Sequence, residues 1–261
     1  MKNLNILFLG DIVGPDAVEA VRKNLYRIKR EMAVDLVIAN GENSNFGNGI
    51  SPDDADILFT SGVDVITGGN HSFRQRSVYD YLDDNDCILR PANYSGGCPG
   101  HGWVTVNTGA CDVLVMNVQG IVYMDPLNNP FDTVEDILAR EEGNFDIALL
   151  DFHAEATGEK KTLANAFKDR LSVFVGTHTH VRTADLQILD GGCGYITDLG
   201  MCGVHDSSLG INYEDTEAMM RLHIPRRFTL AKGKITIEGA LFTVDITTSK
   251  TVAVKPISVS V

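Results

Sequence analysis

Ser172-Val173-Phe174-Val175-Gly176-Thr177-His178-Thr179-His180 is the stretch on which the reading turns. An apolar, β-branched run stops at a glycine, and two histidines alternate just beyond it. Such a run is a buried strand that delivers side chains into the loop at its carboxyl end, where open α/β sheets place their ligands. Two imidazoles one residue apart can be splayed around a metal, since imidazole is a common ligand of borderline ions. A single pair of this kind is ambiguous, because a histidine at a strand end also serves as a hydrogen-bonded structural residue. The other strand ends decide the matter.

Four more apolar runs end the same way. Asn5 to Leu9 leads into Gly10-Asp11, and Asp35 to Ala39 into Asn40-Gly41-Glu42-Asn43. Val63 to Thr67 leads into Gly68-Gly69-Asn70-His71, and Asp146 to Asp151 into Phe152-His153-Ala154-Glu155. Between them lie helical patterns. Pro15 opens one with Val18, Val21, Leu25 and Ile28 on a single face, and Ser51-Pro52-Asp53 caps another. Further helices are expected over Ser77 to Asp83, Thr133 to Arg140, Thr162 to Lys168 and Glu214 to Leu222. Trp103 to Val106 and Asp112 to Asn117 alternate like an antiparallel pair, and Ala184 to Thr197 reads as a hairpin. Gly203 to Asn212 reads as a loop. From Phe228 onward the pattern is a β-meander turning at Lys232-Gly233-Lys234 and Thr248-Ser249-Lys250. Parallel βα units first and antiparallel strands last predict an α/β (mixed α+β) fold, two mixed sheets packed face to face with helices outside. The expectation is one catalytic domain over residues 1–261, with at most a small cap element built from insertions.

Bulk properties narrow the function. The formal net charge is −13, which argues against a partner such as long nucleic acid, whose binding needs a basic footprint. A small anionic substrate is still allowed, because bound metal reverses the local potential. The five cysteines are scattered without a CxxC, as in a reduced cytoplasmic protein. No signal-peptide core follows Met1, and no apolar run reaches membrane-spanning length, so a soluble cytoplasmic protein without a membrane partner is expected. A homo-oligomer is left open.

The five strand ends carry Asp11, Glu42, Asn43, Asn70, His71, His153, His178 and His180, including four of the seven histidines. All are expected to converge on one edge of a sheet. Carboxylate, carboxamide and imidazole together suit iron, manganese or zinc and are too nitrogen-rich for calcium or magnesium. The set is too large for one ion. Two metals about 3.5–4 Å apart, sharing Glu42 and a hydroxide, would use it fully.

These blocks resemble the calcineurin-like metallophosphoesterases. More narrowly, Asn40-Gly41-Glu42-Asn43, Asp151-Phe152-His153-Ala154-Glu155-Ala156-Thr157, the stretch from Gly176 to Asp185 and Asp198-Leu199-Gly200-Met201-Cys202-Gly203 resemble the YmdB-like branch, described as 2′,3′-cyclic-nucleotide 2′-phosphodiesterases. The resemblance implies an αββα sandwich and two divalent or trivalent metal ions, iron first and manganese or zinc as alternatives. One ion would be held by Asp11, Glu42, Asn43 and His180, the other by Glu42, Asn70, His153 and His178. His71 would be the catalytic acid facing the phosphate. Two departures from the wider superfamily fit the narrower branch: Asp11-Ile12-Val13 lacks the histidine of an Asp-x-His block, and Glu42 stands where an aspartate usually bridges.

The implied reaction is hydrolysis of a small phosphoester by a hydroxide that bridges the two metals. Two alternatives stay open: a phosphomonoesterase or nuclease on the same site, and a regulatory protein that keeps the metal site as a ligand sensor. Arg74, Arg76 and Arg182 are weak candidates for phosphate contacts. Cys202, His101, His205 and His223 read as structural.

Overall fold

A computed structural model describes residues 2–261. Its first sheet is built around β1 (Asn3–Leu9). Beside it run, in parallel, β3 (Leu36–Asn40) and then β4 (Val65–Thr67). On its other side lies antiparallel β12 (Ile235–Asp245), which also pairs with β13 (Lys250–Ser260) and β11 (Met201–Val204). The two-residue strand β2 (Asp11–Ile12) completes the seven by pairing with β11. The second sheet has six strands in the order β5 (Trp103–Asn107), β6 (Asp112–Gln119), β7 (Ile147–His153), β8 (Val173–Thr177), β10 (Gly194–Ile196) and β9 (Gln187–Ile188).

Strand periodicity explains the layers. Leu4, Ile6 and Phe8 of β1 face the second sheet and pack with Val113, Val115, Leu149, Val173, Val175 and Phe242. The alternate residues Leu7 and Leu9 face outward onto Val18, Val21 and Leu25 of α1 (Pro15–Met32) and Leu58 of α2 (Pro52–Thr60). In the second sheet Leu114, Met116, Leu150, Phe152 and Phe174 turn outward onto α4 (Pro130–Arg140) and α5 (Thr157–Phe167). Helices thus cover the outer face of each sheet, and an apolar layer joins the inner faces. This is the αββα sandwich. Two short helices, α3 (Tyr79–Asp84) and α6 (Tyr213–Leu222), lie elsewhere on the chain. No helix among the described residues is long and apolar enough to cross a membrane.

Several boundaries differ from the sequence reading. The tail is a hairpin of β12 and β13, not a meander, because Phe228–Leu230 does not join the sheet. Leu230 instead makes one isolated bridge to Ile211 and packs over Gly14. Asp11, read as following the first strand, opens the two-residue strand β2, and Gly203 and Val204 end the buried strand Met201–Val204 rather than starting a loop. The short strand that the apolar Cys87–Leu89 stretch suggests does not form: Ile88 and Leu89 make only isolated bridges, to Ile66 and His101. α5 begins at Thr157, five residues earlier than the periodicity alone indicates.

Candidate metal centre

The residues singled out by the strand ends do meet, but across two sheets rather than along one. Asp11 starts β2, Glu42 and Asn43 follow β3, and Asn70 and His71 follow β4. From the other sheet, His153 ends β7, while His178 and His180 follow β8. The facing layers place these loops at the same end of the sandwich. Asp11, Glu42, Asn43 and His153 are buried, and Asn70, His71, His178 and His180 are half-buried. The chain must approach itself closely here. A Cβ at Gly69 would collide with Glu42 Oε2 and His153 Nε2, so only glycine fits between β4 and Asn70.

Each of the three inner histidines is held from outside by one ring nitrogen. His153 Nδ1 lies 2.9 Å from Thr177 Oγ1, whose single proton goes to Asp151 Oδ1 at 2.7 Å. The threonine must therefore accept from His153 Nδ1–H, which leaves Nε2 with its lone pair facing inward. Asp151 is itself fixed by Thr67 Oγ1 at 2.5 Å and Asn40 Nδ2 at 3.2 Å. His178 Nε2 sits 3.1 Å from Glu155 Oε2, so its Nδ1 faces inward. His180 Nδ1 sits 3.0 Å from the Leu209 carbonyl, so its Nε2 faces inward. Outer acceptors that set the tautomer and direction of an imidazole are characteristic of metal-ligating histidines.

The inward atoms crowd together. His153 Nε2 lies 3.1 Å from His178 Nδ1, 3.0 Å from Asn70 Oδ1 and 3.3 Å from Glu42 Oε1. With His153 neutral, these are acceptors converging on an acceptor, an arrangement that a bound cation or a proton on His153 resolves. Glu42, His153 and His178 bring ligand atoms within 4.8 Å of one another. Asp11 Oδ1 is buried without a hydrogen-bond partner and points at the same cluster, 3.7 Å from His180 Nε2. The donor set is oxygen and nitrogen without thiolate, which fits iron, manganese or zinc. The residues fit the expected metal group.

Asn43 departs in one respect from its expected role. Its Nδ2 donates to Glu42 Oε1 at 3.1 Å and lies 3.1 Å from His180 Nε2, while its Oδ1 faces His71 Nδ1 at 2.9 Å. A ligand role needs the half-turn that exchanges carboxamide oxygen and nitrogen. His71 is tied to Glu42 by its backbone N–H, 2.9 Å from Oε2.

Electrostatics point the same way. Burial alone would raise the Glu42 carboxyl, yet His153 and His71 hold it well below the usual range. Burial likewise opposes ionisation of Asp11, and the neighbouring imidazoles of His180 and His153 outweigh it. His180 is pushed up to about 9: burial would lower it, but Asp11 prevails. His178 is pushed down to about 4 by burial and by the charge of His153. Two buried carboxylates thus draw positive charge into the centre.

The histidine loop carries backbone strain. His178 has φ 101° and His180 φ 61°, left-handed values that cost on the order of 1–3 kcal/mol each for such residues. A buried ion pair holds them there. Lys160 Nζ donates to Asp198 Oδ2 at 2.8 Å and to the Thr177 carbonyl at 2.9 Å, while Asp198 accepts from Thr179 N–H and Gly200 N–H. The Gly200 carbonyl in turn accepts from Asp11 N–H at 3.2 Å.

Lys160, Asp198, Asp151, Thr177, Glu155 and the Leu209 carbonyl were not singled out from the sequence. Asp151 had a usable signal, since it lies two residues before His153 on the same strand. The Leu209 carbonyl had none. Arg182 turns away from the centre, donating to the Ile257 carbonyl at 2.9 Å and lying 3.4 Å from Glu238. Cys202 is buried, its thiol pushed up to about 12 by burial, in keeping with a packing role.

Known proteins match the chain end to end. The chain is 37% identical to the Bacillus subtilis (strain 168) 2′,3′-cyclic-nucleotide 2′-phosphodiesterase over 257 residues, 98% of this chain and 97% of that one. A crystal structure of a hypothetical protein from Thermus thermophilus superposes with a TM-score of 0.93 at 35% identity, covering 98% of this chain and 99% of the other. A Mycoplasma pneumoniae structure described as a novel phosphatase gives 0.94 at 31% identity, covering 100% and 94%. Residues 7–257 match the model of one family, described as YmdB-like protein, and the chain belongs to that family.

Proposed function

We propose that the chain, acting as one catalytic domain, is a metal-dependent phosphodiesterase that hydrolyses 2′,3′-cyclic nucleotides at this centre. Its family and relatives make it a hydrolytic phosphoesterase. The observation that carries the finer reading is the set of three imidazoles, each pinned by an outer acceptor and each aiming its free nitrogen at a pair of buried carboxylates. Asp11, Glu42, Asn43 and His180 would hold one ion and Glu42, Asn70, His153 and His178 the other, with iron as first choice. When bound, such a pair supplies water acidic enough to ionise near neutral pH and positive charge for the phosphoryl oxygens.

The chain's own groups do the rest. Glu42 and Asp11 stay ionised and give the centre its charge. Thr177, Glu155 and Leu209 keep the three imidazoles in the ligating tautomer. His71 turns Nδ1 inward onto Asn43 and Glu42 and lines the groove beside the centre. As imidazolium it would donate the Nε2 proton to the departing ribose oxygen when the P–O bond breaks, a step worth about 10²–10⁴-fold in rate. Net addition of water across that P–O bond opens the cyclic diester to a nucleoside monophosphate.

The deciding experiment measures metal content and turnover on one sample purified without chelator. The expected result is about two transition metals per chain with hydrolysis of both bis-p-nitrophenyl phosphate and 2′,3′-cyclic AMP. Metal without turnover would favour a ligand sensor. Absence of bound metal, together with no rescue by added Mn²⁺, would overturn the reading.

A further inference from the structure

Beside His71 opens a groove of about 1150 Å³, at or above the upper end of the range of small-molecule sites, about 300–1000 Å³. One wall is the loop after Glu42, where Phe46 is 74% exposed. A second wall is the segment between α6 and β12, where Phe228 is 42% exposed. Both rings line the groove together with Arg227 and Lys232, and Asp16 is its acidic member. In a chain with net charge −13, two exposed phenyl rings flanked by two cations form an unusual surface. Exposed apolar area of this kind is normally kept for binding.

The two walls are tied to each other and to the metal centre. Leu230 packs over the Phe46 loop so closely that a Cβ at Gly47 would lie 3.0 Å from its Cδ2. Backbone bonds from Ala231 N–H to the Gly210 carbonyl and from Asn212 N–H to the Thr229 carbonyl tie the second wall to the 207–212 turn. That turn also supplies the Leu209 carbonyl that fixes His180. The groove is therefore built onto the metal centre at both His71 and His180.

We propose that this groove is the nucleobase subsite, with the base lying against Phe46 and Phe228 while the phosphoester sits at His71. This rests on the reading above, and it adds what distinguishes a nucleotide from any other small phosphoester. A flat heteroaromatic ring is the occupant that two phenyl faces beside cations recognise, because every base offers a π-face to stack and partial charge to a guanidinium. Arg227 and Lys232 also draw an anionic substrate into an otherwise acidic protein.

The test compares 2′,3′-cyclic AMP with the base-free ester methyl ribofuranoside 2′,3′-cyclic phosphate on the wild type, Phe46→Ala, Phe46→Tyr and Phe228→Ala. Loss of base stacking predicts that kcat/KM on cyclic AMP falls about 10–100-fold in either alanine variant. The fall on the base-free ester should be at least tenfold smaller, and Phe46→Tyr should restore the preference. Equal falls on both esters, or none on either, would overturn the subsite. A change in sedimentation together with equal falls would assign the face to a second copy of the chain instead. If the wild type hydrolyses neither ester, the catalytic reading fails and the groove is judged by binding of adenosine 3′-monophosphate in calorimetry. Weaker binding by Phe46→Ala then supports the subsite, and unchanged binding overturns it.

Discussion

Lys160→Met tests how the histidine loop is held, independently of any metal. Lys160 and Asp198 are 1% and 0% exposed and 2.8 Å apart. Methionine fills the volume of the lysine stem but leaves the Asp198 carboxylate buried without its counter-charge, a loss of about 3–5 kcal/mol. The Thr177 carbonyl loses its donor at the same time. With an unfolding entropy of about 2.1 cal/mol/K per residue, 261 residues give about 0.55 kcal/mol/K, so Tm should drop by about 5–9 °C. Adding Asp198→Asn removes the stranded charge while keeping oxygen and shape, so the double variant should lose clearly less than the sum of the two singles. Hydrogen exchange adds a local readout. The Thr179 amide, which donates to Asp198 at 3.1 Å, should exchange faster once the left-handed backbone at His178 and His180 is free to relax. Calorimetric melts of the four proteins and exchange at residues 177–180 decide the matter. A Tm shift under about 2 °C, or additive losses with unchanged exchange, would refute the claim that this pair holds the loop.

Thr177→Val keeps side-chain shape but removes the acceptor of His153 Nδ1–H, so affinity for Mn²⁺ by chelator competition should fall about 10–100-fold; wild-type affinity would refute the tautomer argument. His71→Ala should lower turnover about 10²–10⁴-fold with metal content unchanged, whereas His153→Ala should lose metal by elemental analysis, and the assignment fails if both variants keep metal and activity. Asp185 predicts a pH effect outside the ligand set. Burial would raise its carboxyl, but bonds from Thr183 and Thr197 outweigh burial and depress it below 3.8. A depressed carboxyl stabilises the fold above its unfolded value and loses that contribution as pH falls through its folded value. The stability difference between wild type and Asp185→Asn in urea titrations should therefore be full at neutral pH and vanish on acidification below 3.8; a pH-independent difference would exclude it.

What could be read from the chain, and what could not, follows from where each interaction lies. Parallel strands buried on both faces must be nearly continuous apolar runs, so a polar residue at the end of one stands out. Asp11, Glu42, Asn70, His153, His178 and His180 were visible for that reason. The division of those ends between two sheets was not, because period-2 alternation shows that a strand has two faces without saying which strands neighbour it. β2 and β11, of two and four residues, are too short to show any period. The supporting groups were hidden more deeply. Lys160 and Lys161 are adjacent on the same helix, and only the turn of α5 over β8 decides that the first is buried and the second exposed. The Leu209 carbonyl has no side-chain signature at all. The carboxamide of Asn43 was legible as a residue, yet its direction is set by His180, 137 residues away in sequence. The residue types that can serve as ligands are a local property of strand ends. The choice of which lone pair faces the centre belongs to tertiary contacts, and there a single sequence offers chemistry without direction.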